Sequence, residues 1–159
     1  MRTAALLFAV CLAALFPAVA AADKPVIEPT PPTEDFVIEG ACEFDVLLHT
    51  VADESKAIIF GERMIVTGKI KVRLTNVETG ETLDLNISGP GTFTFDEEDG
   101  TTTIKGGGPW LVWLLETDEG GPGIFLTRGH LTLVGDAEFN VLTFEVRGDV
   151  TDLCAALAP

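Results

Sequence analysis

The feature of this chain that most limits its fold is a regular alternation of apolar and polar side chains. Between residues 64 and 75, apolar residues occur at almost every second position and are separated by threonine, lysine and arginine. Side chains of a β-strand point alternately to its two faces, so this pattern predicts a strand with one buried and one solvated face. An amphipathic helix would need apolar residues at intervals of three and four, and residues 36–151 contain no convincing example.

Similar alternating segments follow one another along the chain and are separated by turn residues. We expect about eight strands between residues 36 and 146, beginning with one long strand over 36–49. The expected turns and interruptions lie at 52–55, 78–81, 89–91, 96–100, 106–109 and 117–123. Only residues 152–157 are expected to be helical.

The short connections between these segments predict how the strands are arranged. Strands joined by short turns lie side by side in antiparallel order, so the fold class is an all-β antiparallel meander. We favour a closed barrel because closure removes unpaired strand edges. A two-sheet sandwich is the alternative. An eight-stranded barrel is either filled by side chains or encloses one small ligand.

The first 22 residues have the composition of a secretory signal peptide. Met1 and Arg2 provide a positive start, residues 4–16 form an apolar run, and small residues precede an expected cleavage after Ala20 or Ala22. The run is shorter than the roughly 20 residues that a transmembrane helix needs. We therefore expect a secreted bacterial protein with no transmembrane span in the mature chain. An uncleaved membrane anchor is the alternative.

Residues 23–35 separate the signal segment from the alternating region. Four of these thirteen residues are proline, and such a composition favours an extended polyproline conformation over a packed element. We expect either a stiff spacer or a disordered N-terminal tail. The remaining residues, 36–159, have a length typical of one domain, and we assign them to a single all-β domain.

Two of the three cysteines, Cys42 and Cys154, lie outside the signal segment. An oxidising compartment and an even number of cysteines favour a disulfide between them. The bridge would close a loop of about 112 positions, for which chain entropy gives roughly 4–5 kcal/mol of stabilisation. Two free catalytic or metal-binding thiols are the alternative, although neither has a cysteine or histidine neighbour at metal-ligand spacing.

The charge balance excludes two classes of partner. The chain has 25 acidic and 10 basic residues, with a formal net charge of -15. A nucleic-acid-binding protein needs a basic surface to meet phosphates. Electrostatic docking on anionic lipid likewise needs clustered lysine and arginine. We therefore expect neither nucleic acid nor an anionic membrane as a partner.

None of the candidate catalytic or metal-binding patterns is specific. His49 and His130 lie in separate predicted strands and are interpreted as surface residues. The acidic runs at 96–99 and 118–119 lack EF-hand spacing and are interpreted as solvated loops, with a weak structural calcium site as the alternative. The glycines at 106–108 are not followed by the Lys-Ser/Thr of a phosphate loop and predict a hinge between strands. We predict no catalytic residue, no metal site and no cofactor.

Residues 110–115 differ from the rest of the chain because they are apolar on both faces of the predicted strand. If one face enters the core, the other meets a covering segment, a partner or a ligand. We interpret this segment as a candidate partner or ligand surface, with burial under a loop or the N-terminal segment as the alternative. The candidate residues are Trp110, Val112, Trp113 and Leu114.

Four motifs together resemble small secreted proteins of actinobacteria. They are a cysteine in the first strand (Cys42), VRLTNVETGE at 72–81, ISGPG at 87–91 and the ending GDVTDLC at 148–154. The resemblance covers most of the chain after the signal segment. Because these motifs are turns and a disulfide frame, the resemblance implies a shared architecture and supplies no catalytic residues.

Together these observations predict a secreted module without enzymatic activity that acts in binding or at the cell envelope. Its partner would be a second copy of the chain or a small apolar ligand. One alternative is a barrel carrier or enzyme that acts on a small apolar molecule in its cavity. A further alternative is a secreted protease inhibitor that presents the loop at residues 117–123.

Overall fold

A computed structural model describes residues 24–31 and 33–159 of the chain. Nearly all regular structure in these residues is β-strand, and every strand pairing is antiparallel, so the predicted all-β antiparallel class is confirmed. The elements are β1 (Val26–Pro29), β2 (Phe36–Ile38), β3 (Val46–Phe60), β4 (Arg63–Asn76), β5 (Thr82–Asn86), β6 (Gly91–Asp96), β7 (Thr101–Leu114), β8 (Gly123–Gly135), β9 (Val141–Asp152) and the short helix α1 (Leu153–Leu157).

All nine strands belong to one sheet, and that sheet is open. Its hydrogen-bonding order is β1-β3-β4-β6-β7-β8-β9, with β2 added to β3 and β5 added to β4. Within the described residues, β1 and β9 stand at opposite ends of this order and do not pair with each other. The closed barrel, which the short turns between predicted strands favour, is therefore not supported.

The sheet stays open because β4 shares one edge between two different neighbours. Residues 63–66 of β4 pair with β6, whereas residues 71–75 pair with β5. Strand β5 pairs with β4 and does not pair with β7. Beyond the β6 pairing at residues 63–66, β4 and β7 are therefore no longer connected through a shared strand. Past this point, β2 to β5 form one layer and β7 to β9 form a second.

The main hydrophobic core lies between these two layers. Its side chains come from β2, β3 and β4 on one side, from β7 and β8 on the other, and from α1. Full burial of each large aliphatic side chain contributes about 1.5–3 kcal/mol. The buried residues are Ile38, Ala41, Val46, Leu48, Val72, Leu74, Leu111, Ile124, Leu126, Leu153 and Leu157. Both sides of this core belong to the same sheet, and the two separate sheets of the sandwich alternative are not observed among the described residues.

Two of the expected strand boundaries near the start of the domain are wrong. Residues 52–55, predicted as a turn, lie inside β3 and pair with residues 68–71 of β4. The pairing register shifts between Thr50 and Ala52, and this bulge lets the polar segment continue as strand. Conversely, the single strand expected over 36–49 is divided into β2 and β3 by a loop in which Gly40 has a φ of +74°.

The glycine-rich interruption expected at residues 106–109 lies inside β7, and the backbone angles there lead us to infer a bend of the sheet. Gly108 pairs with Gly129 of β8, which in turn pairs with Gly148 of β9. Their φ angles are +79°, +130° and +150°, in a region that other residues rarely adopt. A Cβ atom at Gly129 or Gly148 would collide with the backbone of the paired strand. The predicted hinge between strands is therefore a bend that crosses three paired strands.

The predicted disulfide between Cys42 and Cys154 is confirmed and ties α1 to the loop after β2. Asp152 caps the helix, because its carboxylate accepts hydrogen bonds from two N–H groups of the first turn. The side-chain amide of buried Asn76 donates to the carbonyl of Leu157 at 3.1 Å. These contacts fix the C-terminal residues against the core.

Part of the proline-rich segment is a strand and not a free spacer. Strand β1 pairs with residues 56–59 of β3, and the N–H of Thr30 donates to the carbonyl of Ser55 at 3.2 Å. The expected extended conformation is present, but its backbone is hydrogen-bonded at the sheet edge. The signal peptide predicted for residues 1–22 lies outside the described residues. No helix among the described residues has the length and apolar character needed to cross a membrane.

The sheet bend should depend on glycine. We expect Gly148→Ala to lower the free energy of unfolding by about 1–3 kcal/mol, because it places a methyl group against the β8 backbone at a positive φ. Gly135→Ala is the matched control, since its φ is not positive and its Cβ would lie 3.6 Å from the nearest atom, an ordinary contact. Urea unfolding followed by circular dichroism measures both variants, and equal stabilities would contradict the role of Gly148.

The disulfide should contribute a large share of the stability. We expect the Cys42→Ser/Cys154→Ser variant to unfold with a free energy lower by roughly 4–5 kcal/mol, because the unfolded chain regains the freedom of the long loop. Urea unfolding of the native chain with and without reductant provides the comparison. The variant should be insensitive to reductant, whereas the native chain should lose stability when reduced. A native chain unaffected by reductant would contradict the bridge.

Candidate functional site

An apolar row crosses seven strands on one face of the sheet. Each residue of the row is the direct cross-strand partner of the next, so all of them point to the same face. The apolar row consists of Val26, Ile59, Met64, Phe93, Ile104, Leu133 and Phe144. None of these side chains is fully buried. A contiguous apolar surface of this kind is typical of a binding site.

At the β6–β9 end of the apolar row, the surface forms a groove of about 470 Å³, which we call the apolar groove. Its lining includes Phe93, Ile104, Trp110, Leu133, Phe139 and Val141. Phe139 lies in the turn between β8 and β9 and is 91% exposed. The volume lies within the range of roughly 300–1,000 Å³ that is usual for ligand pockets. The groove is therefore large enough for one or two apolar side chains of a bound molecule, and its lining is mostly apolar.

A second hydrophobic core supports the apolar groove from beneath. Val112, Leu114 and Leu131 are buried there, and the rings of Phe125 and Phe144 stack with centroids 6.0 Å apart. Its β7 residues lie beyond Gly108, whereas its β9 residues and Leu131 of β8 lie on the other side of the glycine bend. The bend therefore brings together the walls that the groove requires.

Trp110 forms one wall of the apolar groove because three glycines make room for its indole ring. The ring lies over Gly89, Gly91 and Gly106, and a Cβ atom at Gly106 would come within 2.7 Å of the indole nitrogen. Phe93 packs beside it, with ring centroids 6.2 Å apart. The indole nitrogen is buried and has no hydrogen-bond partner among the described residues. The glycines expected to act only as breaks thus form a platform for a tryptophan.

The structure separates the four residues predicted as a partner or ligand surface. Trp110 and Val112 belong to the apolar groove, and Leu114 is fully buried in the core beneath it. Trp113 also contributes to the border of the groove, but its side chain is on the opposite face of β7, is 42% exposed and packs against Phe36, with ring centroids 5.6 Å apart. The segment is apolar on both faces because each face meets a different core.

Sequence reasoning missed several residues of the apolar groove. Ile104 and Leu133 follow the alternation of their strands, but alternation alone does not reveal that their face lacks a covering layer. Phe139 carries a local signal, since it is a single aromatic residue between Glu138 and Asn140 in a polar turn. An exposed aromatic side chain in such a turn is a candidate contact residue, because binding of a partner would remove its apolar surface from water.

Three acidic loops lie beside the apolar groove. Residues 96–99, 116–119 and 136–138 carry nine carboxylates and no lysine or arginine. In the third loop, hydrogen bonds from the side chain and backbone of Asn140 lower the pKa of Asp136 below its ordinary value. Its carboxylate therefore stays charged further into the acidic range. The three loops give the groove a negative border.

Contacts between the loops and β9 fix this border. The carboxylate of Asp118 accepts a hydrogen bond from the N–H of Val141 at 2.7 Å, which holds the second loop against the groove. A Cβ atom at Gly100 would lie 3.9 Å from Ala137, so the first and third loops are adjacent. The second loop is thus held beside Val141 of the groove lining, the third loop leads directly into Phe139, and the first loop lies beside the third.

The basic residues of β7, β8 and β9 point away from the apolar groove. Lys105 follows Ile104 and Arg147 follows Val146, so each lies on the face opposite its apolar neighbour. Arg128 is likewise on this opposite face and, like the other two, is exposed. The groove face of these strands is therefore without the positive charge that the other face carries.

The two histidines lie apart in the fold. On β3, the Nδ1 atom of His49 is 2.7 Å from the carboxylate of Asp35, and this hydrogen bond lowers the pKa of Asp35. His130 lies on β8, opposite Arg147 of β9. In residues 24–31 and 33–159, no group of three or more histidine, cysteine, aspartate or glutamate residues could hold a metal ion. The apolar groove is the strongest candidate site on the described surface.

The chain was compared with protein-family models, curated proteins and solved structures. No family model, no curated protein and no solved structure matches the chain.

The glycine platform under Trp110 should be sensitive to a single methyl group. We expect Gly91→Ala to lower the free energy of unfolding by about 1–3 kcal/mol and to alter tryptophan fluorescence, because the methyl group would displace the indole ring. Gly107→Ala is the matched control, since nothing lies within 4 Å of its Cβ position. Urea unfolding and emission spectra measure both effects. A Gly91 variant as stable as the Gly107 variant would contradict the platform.

Proposed function

We propose that the protein is an extracytoplasmic binding module that holds a cationic, amphiphilic segment of another protein in the apolar groove. The observation that carries the proposal is the combination of an apolar groove with acidic loops along its border. A partner of matching chemistry has apolar side chains flanked by lysine or arginine.

The apolar lining supports affinity. Removing apolar surface from water contributes about 25 cal/mol per Å². Phe139 presents a large, 91% exposed aromatic side chain at the rim, and aromatic residues are frequent energetic anchors of protein interfaces. Trp110 and Phe93 offer further aromatic surface inside the groove.

The acidic loops support selectivity for a positively charged partner. Complementary charge speeds association and disfavours partners of the wrong sign. The formal net charge of -15 opposes nucleic acids and anionic lipids. The positively charged side chains of β7, β8 and β9 do not offset this effect at the groove, because they lie on the other face.

An extracytoplasmic location is supported by the disulfide and by the signal peptide predicted for residues 1–22. Stable disulfides are typical of secreted and envelope proteins and rare in the reducing cytosol. The carrier and enzyme alternatives place a ligand inside a closed barrel, and the open sheet gives that interior no support. The protease-inhibitor alternative stays a prediction.

The groove should bind a cationic amphiphile through Phe139. As a probe we choose a synthetic hexapeptide of alternating lysine and leucine, with affinity measured by fluorescence anisotropy. We expect Phe139→Ser to weaken binding by about tenfold or more, since it removes an aromatic anchor. Val77→Ser is the control, because Val77 is a 55% exposed apolar residue outside the groove lining. Equal affinities of the two variants would contradict the proposed site.

Paired charge variants complete this experiment. Asp99→Asn/Glu138→Gln removes two carboxylates beside the groove, whereas Glu78→Gln/Glu81→Gln removes two from the β4–β5 turn. We expect the first pair to weaken peptide binding by about threefold or more at low salt and the second to have less effect. The difference should vanish near 1 M salt, where the Debye length is about 3 Å. Equal effects at low salt would mean that the acidic border does not select the partner.

A further inference from the structure

Strand β7 loses its pairing partner on one side before it ends. Strand β6 pairs with β7 only as far as Gly106. Two more hydrogen bonds follow, from the N–H of Gly107 to the carbonyl of Pro90 at 2.9 Å and from the N–H of Gly89 to the carbonyl of Pro109 at 3.0 Å. Beyond Pro109 the neighbouring chain turns away to β4, where the N–H of Ile87 donates to the carbonyl of Ile70.

The direction of these two bonds identifies which backbone groups come next. In a strand, alternate residues direct their N–H and C=O groups to the same side. The backbone N–H of Gly107 and the carbonyl of Pro109 point to the β6 side. The backbone N–H and C=O groups of Leu111 and Trp113 therefore point to the same side. Within the described residues, neither backbone N–H has an acceptor on that side, and no strand pairs there. We call residues 111–113 the open edge of β7.

Both ends of the open edge are defined by the chain itself. Pro109 has no N–H to offer to a neighbouring strand, and proline within a strand is confined to edges and bulges. At the other end, the N–H of Leu115 is already bonded to the carboxylate of Asp118 at 2.6 Å. The open edge is therefore a short segment with two unpaired backbone N–H groups, one at Trp113, which is 42% exposed, and one at Leu111, which is 8% exposed.

The open edge borders the apolar groove. Residues 111–113 contribute to the groove lining as a continuous stretch of strand. On the opposite face, Leu111 and Trp113 line a smaller crevice of about 170 Å³ together with Phe36. A strand added to β7 would place alternate side chains toward the groove and toward this crevice.

We propose that the partner segment binds in an extended conformation and adds to the open edge of β7 as a further strand. This inference rests on the proposed function and names the class of partner, a cationic extended peptide with apolar residues at alternate positions. Its apolar side chains would enter the groove, and a lysine or arginine on the other face would lie over the exposed part of the Trp113 ring, where cations are favoured.

The charge of the chain argues against a second copy as the occupant. Two copies of a chain with a formal net charge of -15 repel each other when their acidic loops are brought together. A helical segment would fill the groove but leave the backbone groups of Leu111 and Trp113 without partners. Main-chain pairing with an edge strand is a common mode of peptide recognition and satisfies both requirements.

Backbone methylation of the probe peptide tests the pairing directly. Alternate N–H groups of an extended peptide point to opposite edges, so we compare the lysine–leucine hexapeptide with one version N-methylated on the leucines and one N-methylated on the lysines. We expect one version to lose about tenfold or more in affinity and the other to bind within about threefold of the parent. Equal affinity of both methylated versions would overturn strand addition. Failure of the unmodified parent to bind would instead contradict the proposed function.

Hydrogen exchange of the intact protein gives a second readout. On binding of the unmodified hexapeptide, we expect the amides of Leu111 and Trp113 to exchange at least about tenfold more slowly. The amides of Val112 and Leu114, which face β8, serve as internal controls and should change less. Binding without protection at Leu111 and Trp113 would overturn strand addition while leaving the groove intact. Dimerisation through this edge in the absence of peptide, detected by sedimentation, would overturn it as well.

Discussion

The arrangement of this protein depends on a bend that three glycines produce together. Gly108, Gly129 and Gly148 lie in register on β7, β8 and β9, and their positive φ angles turn all three strands at the same level. Because the hydrogen-bonded ladder continues through the bend, one sheet supplies both layers of packing. On one side of the bend, β7 and β8 face the layer of β2 to β5 across the main core. At the bend itself, residues from both sides form the second core beneath the groove.

The same geometry explains why the candidate site is on the surface and not inside a barrel. Strand β4 divides its edge between β5 and β6, so the last residues of β7 pair with β8 but have no neighbouring strand on the β6 side, and the sheet remains open. The disulfide, the Asp152 cap and the Asn76 hydrogen bond hold the C-terminal helix against the main core. They leave the groove and the open edge of β7 side by side, next to loops that carry much of the acidic charge.

Much of the local structure follows from the residues themselves. Strand β4 is readable from its alternation, and the disulfide from the number of cysteines and the expected compartment. Residues 52–55 are not readable in this way, since their polar composition is typical of a turn, yet pairing with β4 satisfies their backbone and keeps them extended. The glycines near residue 106 are ambiguous for a related reason. A glycine-rich segment can adopt many backbone conformations. Only the neighbouring strands determine whether it forms a loop, a bent strand or a surface on which Trp110 packs.

The amino-acid sequence by itself determined the fold class, the pairing of Cys42 with Cys154 and the two-faced apolar character of residues 110–115. These properties depend on alternation, composition and residue type, which are local. Only the tertiary structure decided that the sheet stays open, that Phe93, Ile104, Leu133 and Phe139 meet in one groove, and that the Trp113 ring packs against Phe36. Those outcomes depend on which strands become neighbours and where the sheet bends. Such long-range pairings bring together residues that are far apart in the sequence, and their spacing along the chain does not predict that they will be in contact.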